Sequence, residues 1–119
     1  MEDLGGRSKL IPGVYRDGDA VVMSVSGEID LHNSPELRTE LLDLLNRQRP
    51  RRLIVDLSKV PYIDSSALAV LVEALKRMLK VGGKVCLVAL QPRVKGLLEI
   101  ARLASIFVIC DTVPDALAP

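Results

Sequence analysis

The sequence predicts a single α/β domain on a mixed, mostly parallel sheet of four to five strands, in the order β-β-α-β-α-β-α-β-α. Two observations carry that reading. Short apolar runs alternate with longer segments whose apolar residues recur every three or four positions, and such alternation implies parallel strands joined by helical crossovers. Asp17-Gly18 stands between the first two runs with no room for a helix, so that pair forms an antiparallel hairpin.

Residues 1–13 are polar and contain glycines, so a flexible, frayed terminus is expected there and the domain proper over 14–117. Strands are expected at 14–18 and 20–26. In the second, Val21, Met23 and Val25 share one face and Val22, Ser24 and Ser26 the other, more polar one, the pattern of a strand buried on one side. Ser34 is a good N-cap, which makes Pro35 the first helical residue. Leu37, Leu41, Leu44 and Leu45 then form the inner stripe of a helix, with Glu36, Arg38, Glu40 and Asp43 outside. The basic cluster Arg47-Gln48-Arg49-Pro50-Arg51-Arg52 closes it as a solvated end that complements the helix dipole.

Leu53 to Leu57 is a nearly continuous apolar run, the mark of a central strand. A long helix is expected from the Asp64-Ser65-Ser66 junction to about Lys80, with Leu68, Leu71, Val72, Leu75 and Leu79 on its core stripe. Ser66, Ala69, Val70, Glu73 and Arg77 fall on the side away from that stripe, which marks Ala69 and Val70 either as scattered apolar surface residues or as a small partner-contact patch. Gly82-Gly83 ends the helix. A strand over Val85–Ala89, a helix opened by Gln91-Pro92 with Val94, Leu97, Leu98 and Ala101 inward, and a short strand at 106–109 follow. Asp111 or Thr112 caps a last helical turn near Pro114.

Composition excludes several functions. The chain has 119 residues, 49% of them hydrophobic, and a net charge of +1, so it is globular and offers nucleic acid or anionic membranes no global attraction. Aromatics are 3% of residues, too few for a single-strand stacking platform. No run approaches the ~18 apolar residues of a membrane helix. The first residues lack the apolar stretch of a secretory signal, so a cytoplasmic location is the default. Cys86 and Cys110 lie too far apart for a CxxC site and are expected as buried thiols in strands.

No catalytic constellation emerges. The one histidine, His32, has no nucleophile elbow to serve, because Ser65 follows Asp64 and Ser66 precedes Ala67 where flanking glycines are needed. Gly82-Gly83-Lys84 follows a helix, whereas a phosphate-cradling loop precedes one. No metal-ligand spacing and no cofactor motif is present, so neither metal nor cofactor is expected. What remains is the junction from Asp56 to Leu68, which brings an acid and two hydroxyls to a helix N-terminus at the carboxyl end of a strand, where open parallel sheets form sites. Capping alone accounts for Asp64 or Ser65 there. The alternative is that one hydroxyl is phosphorylated, since free N–H groups and the positive dipole end can hold the anion.

The segment Val55-Asp56-Leu57-Ser58-Lys59-Val60-Pro61-Tyr62-Ile63-Asp64-Ser65-Ser66-Ala67-Leu68 resembles the STAS domain family, most closely the single-domain bacterial anti-sigma factor antagonists. Gly27-Glu28-Ile29-Asp30, Gly82-Gly83-Lys84-Val85 and Gln91-Pro92-Arg93-Val94 support the match, which covers about residues 14–117. The resemblance implies helices mainly on one face of the sheet. It also implies partner switching: the antagonist binds an anti-sigma factor that is also a serine kinase, is phosphorylated by it and lets go, and a serine phosphatase resets it. Ser65 matches the phospho-acceptor, Ser66 the neighbouring hydroxyl, Asp64 the acid that orients the acceptor, and Asp30 the acid of the earlier motif. Ala67 and Ala69 stand where family members often carry glycine, which bears on partner identity. The expected role is therefore a binding switch in transcription regulation and not an enzyme, acting by protein–protein interaction. Partners are an anti-sigma factor/serine kinase and a serine phosphatase, with no nucleic acid and no membrane insertion. The alternative within the family is an accessory subunit of a lipid or anion transporter complex, not phosphorylated. Hydrophobic strand edges leave monomer and dimer both open.

Overall fold

The computed structural model describes all of residues 1–119. Its strands are β1 (Glu2–Asp3), β2 (Gly13–Asp17), β3 (Ala20–Ser26), β4 (Arg52–Lys59), β5 (Lys84–Val88) and β6 (Val108–Cys110). Its helices are α1 (Ser34–Gln48), α2 (Ser65–Lys80), α3 (Pro92–Ile100) and α4 (Val113–Leu117). The six strands lie in sequence order across one sheet. β1, β2 and β3 pair antiparallel, and β3 through β6 pair parallel. The α/β class and the alternation are as the sequence reads, with one strand more.

Sequence order in the parallel half decides where the helices go. Each crossover advances the sheet by one strand in the same direction, and a uniform crossover hand then puts α1, α2 and α3 on one face. Their leucines join Val21, Met23, Leu53, Val55, Val85 and Leu87 in a core of 28 buried residues. α4 follows the last strand without a further crossover and packs on the opposite face, where Ala116 covers Ala20, Val22, Ile54, Cys86 and Val88. This corrects the one-sided reading of β3: Val22 is 1% exposed. Arg52 holds α4 in place. Its guanidinium donates to the carbonyl oxygens of Ala116 and Leu117 at 3.1 and 3.2 Å and to the Asp19 carboxylate.

The amino-terminal segment, expected to be frayed, makes packing contacts with the fold. Leu10 and Ile11 are buried, the Ser26 amide donates to the Leu10 carbonyl at 2.9 Å, and Arg7 pairs with Glu40 and Asp43 of α1. Two apolar residues in a polar stretch carry no periodicity, so the sequence did not reveal them. β1 adds only the pairs Glu2–Arg16 and Asp3–Tyr15. The N-cap of α1 is Asn33 and not Ser34, which is buried as the first helical residue. The last strand begins two residues later than expected, because Phe107 is the buried anchor and Val108 and Ile109 stay 44% and 38% exposed on an edge. Cys86 is buried, whereas Cys110 on that edge is half-buried.

The basic cluster after α1 splits by function. Arg47 pairs with Asp43, Arg52 clamps α4, and Arg49 and Arg51 remain exposed without an ion pair.

Candidate functional site

The site lies at the carboxyl ends of β3 and β4, where two loops are stitched together before each enters a helix. The Gly27 amide donates to the Lys59 carbonyl at 2.9 Å, the Ile29 amide to Tyr62 at 3.1 Å, and the Asp64 amide back to Ile29 at 3.1 Å. Ile29 and Ile63 thereby form a parallel bridge, and both are buried. Gly27 takes φ +94, a conformation that a side chain would strain. The loop from Glu28 to Asn33 is ordered by its own side chains. Asn33 Oδ1 accepts from the Asp30 amide at 2.8 Å, Asn33 Nδ2 donates to the Glu28 carbonyl at 2.9 Å, and the Asp30 carboxylate accepts from the His32 amide at 2.9 Å. Asp30 thus shapes its loop through one carboxylate oxygen. The same loop presents Leu31, 73% exposed, beside the start of α2.

Asp64 is the N-cap of α2. One carboxylate oxygen accepts from the Ser66 amide at 2.9 Å, the Ala67 amide at 3.1 Å and the Ser66 hydroxyl. These bonds favour the ionised form. The Ser66 hydroxyl first, then the amides of Ala67, Ser66 and Leu31, hold the Asp64 carboxyl below its ordinary value against partial burial. The acid expected to orient Ser65 therefore holds Ser66. Ser65 is the first residue of α2, exposed, and its hydroxyl has no partner within the chain. Ala67 is buried, so its methyl packs into the core and not toward solvent.

Beside Ser66, the N-terminal halves of α1 and α2 enclose a shallow groove of about 310 Å³ lined by Ser34, Pro35, Arg38, Ser66, Ala69, Val70 and Glu73. Arg38 bridges it to Glu73 with two hydrogen bonds of 2.7 and 2.8 Å. Ala69 is exposed on this groove as expected, whereas Val70, expected on the solvent side, is 7% exposed and forms the groove floor where the core reaches it between the helices. The same packing corrects the stripe of α2. Ala67, Ala74 and Met78 join Leu68, Leu71 and Leu75 inside, while Leu79 is 60% exposed. α1 crosses α2 on the side that a two-sided wheel assigns to solvent. On the other flank, the Arg93 guanidinium lies over the Tyr62 ring at 4.5 Å, and Gln91 Nε2 donates to the Ser58 carbonyl at 2.8 Å, tying α3 to the same loop. Sequence reasoning assigned no site role to Leu31, Tyr62 or Arg93, although Tyr62 and Arg93 stand within the segments that carry the resemblance. No three His, Cys, Asp or Glu side chains converge as a metal site, and no helix is long and apolar enough to cross a membrane.

Comparison with known proteins places this geometry in context. A model of the STAS domain matches residues 12–116. The anti-sigma-B factor antagonist of Listeria monocytogenes is 34% identical over 94 residues, 79% of this chain and 82% of its own length. The anti-sigma F factor antagonist of Paenibacillus polymyxa is 28% identical over 97 residues, 82% of this chain and 83% of its own. A crystal structure of an anti-sigma factor antagonist from Mycobacterium paratuberculosis superposes with TM-score 0.79 at 30% identity, covering 87% of each chain.

Proposed function

The chain belongs to the STAS domain family, and from that premise we propose that it is an anti-sigma factor antagonist that binds an anti-sigma factor/serine kinase and is switched off by phosphorylation of Ser65. The relatives named for that role support the reading. The observation that carries it is the division of labour at the α2 N-terminus. Asp64 binds the Ser66 hydroxyl, whereas the Ser65 hydroxyl is exposed with no partner to displace. The proposed acceptor is the first helical residue of a capped helix, with exposed Leu31 and Ala69 beside it as contact surface. The kinase would supply nucleotide, Mg²⁺ and the transfer machinery, and this chain only the hydroxyl, so it acts as a binding switch and not an enzyme. A serine phosphatase would reset it.

The test is incubation with a kinase-type anti-sigma factor and ATP·Mg²⁺, followed by intact-mass measurement and binding assays. One phosphate is expected on wild type and on Ser66→Ala and none on Ser65→Ala, with Ser65→Asp binding weakly. Phosphate retained on Ser65→Ala, or full affinity of Ser65→Asp, overturns the assignment. Co-purification with a transporter ATPase subunit, unaffected by Ser65→Ala, would favour an accessory role in transport instead.

A further inference from the structure

The α1–α2 pair carries a second concave surface at its other end. α2 rises about 1.5 Å per residue, so Lys80 lies roughly 22 Å along the helix from Ser65. There the ends of both helices and the loop that leads into β4 enclose a groove of about 870 Å³. Of its apolar residues, Leu45 and Met78 are buried in the floor and only Val81, 71% exposed, offers apolar surface. Its charged lining is all of one sign: Arg49, Arg51, Arg77 and Lys80.

Three observations separate this groove from an ordinary solvated helix end. None of the four cations makes an ion pair, while Arg47 and Arg52 on either side in sequence do. The acid nearest in influence, Glu73, feels Arg77 but is bound by Arg38. Two helix C-termini supply together about one negative charge, which leaves a surplus of roughly three positive charges. Finally, Arg49 occupies the left-handed conformation at the α1 C-cap, φ +46, where glycine is the unstrained choice. The chain holds a guanidinium over the groove at a position where backbone energetics favour no side chain at all.

We propose that this groove is a second docking surface, for a short acidic segment of a partner protein that seats an apolar side chain on Val81 while its carboxylates meet Arg49, Arg51, Arg77 and Lys80. Concavity and the exposed valine favour a peptide over a flat membrane surface, and the absence of aromatic lining disfavours nucleic acid. Because it lies a helix length away from Ser65, it can be occupied in either phosphorylation state, and it does not depend on the proposed switch.

The probe is a fluorescein-labelled peptide alternating glutamate and leucine, titrated with the full chain at low salt by anisotropy, with amide shifts mapped on the wild type. A lysine–leucine peptide, a DNA duplex and phosphatidylglycerol vesicles serve as comparisons. Saturable binding is expected only for the acidic peptide, with shifts confined to residues 45–51 and 77–81. The double variant Arg49→Gly/Arg77→Gln should bind roughly tenfold more weakly without losing thermal stability, and Ser65→Asp should bind as wild type. Shifts centred elsewhere, unchanged binding by the double variant, or tighter binding to DNA or vesicles overturns the proposal.

Discussion

Replacing Asp64 by alanine measures what this residue does for the fold. Its carboxylate oxygen accepts from two otherwise unpaired helix amides at 2.9 and 3.1 Å and from the Ser66 hydroxyl. Loss of a side-chain cap costs about 1–2 kcal/mol, and loss of an anion at the helix N-terminus costs roughly 0.5 kcal/mol more. At about 2.1 cal/mol/K per residue, the unfolding entropy of 119 residues is roughly 0.25 kcal/mol/K, so a loss near 2 kcal/mol lowers Tm by about 8 °C. Asp64→Asn keeps an acceptor oxygen and loses only the charge, so it should fall by roughly 2 °C. The pH dependence has a definite sign. The folded Asp64 carboxyl lies below its ordinary value of 3.8, so its contribution is complete above that pH and disappears as pH falls through the folded value. Thermal melts of the three proteins from neutral pH to acid check this. The gap between wild type and Asp64→Asn should close in acid. An alanine variant as stable as wild type, an asparagine variant as damaged as alanine, or a gap independent of pH would refute the capping account.

Two further substitutions test the packing around the site. Val70→Ala removes two methyl groups from the buried α1–α2 contact and should cost about 1–2 kcal/mol in urea unfolding, where a surface residue would cost nothing measurable. Gly83→Ala should destabilise by roughly 1–3 kcal/mol, because its Cβ would meet the Arg51 carbonyl oxygen at 2.9 Å and Met78 Cε at 2.7 Å, and the backbone carbonyl cannot give way. A neutral result at Gly83 would mean that β4 and the end of α2 shift apart freely.

The parts of the fold legible in the sequence were those governed by local chemistry. Period in the leucines of α1, the apolar run of β4, Asp17-Gly18 and the Asp64 cap each act within a few residues, and all are present. What escaped depends on distant neighbours. Val70 looks solvent-facing on a wheel that knows one buried side, yet α1 covers it. Val22 looks half-exposed until α4 returns from the end of the chain to cover it. Leu10 and Ile11 are anchored by partners in β3 and by the core, which their own segment does not announce. The site divides the same way. Asp64, Ser65 and Ser66 were legible as a capped junction with spare hydroxyls. Which hydroxyl is spare was not, because two consecutive serines differ only in the direction in which the helix turns them. The carboxylate takes Ser66 because its amide and hydroxyl approach together.

That geometry bears on how a phosphate at Ser65 could act. It would sit at the first residue of α2, where the helix N-terminus favours an anion by about 0.3–1 kcal/mol. Repulsion between the dianion and the adjacent Asp64 carboxylate, through water at roughly 6 Å, is of order 1 kcal/mol and opposes it. The two nearly cancel, and Ala67 and Leu68 anchor the first turn in the core. Folding should barely notice the modification. A partner surface closing over the same residue must instead strip water from the dianion, at a cost of several kcal/mol, and about 3 kcal/mol is already more than a hundredfold in Kd. Phosphorylated protein should therefore melt within about 4 °C of the unmodified form, from roughly 1 kcal/mol of net change. Its amide spectrum should be altered only around residues 28–34 and 62–69, while partner affinity collapses. A spectrum altered across the sheet, or a loss of stability several times larger, would mean that the switch works by refolding the domain and that surface charge is not its cause.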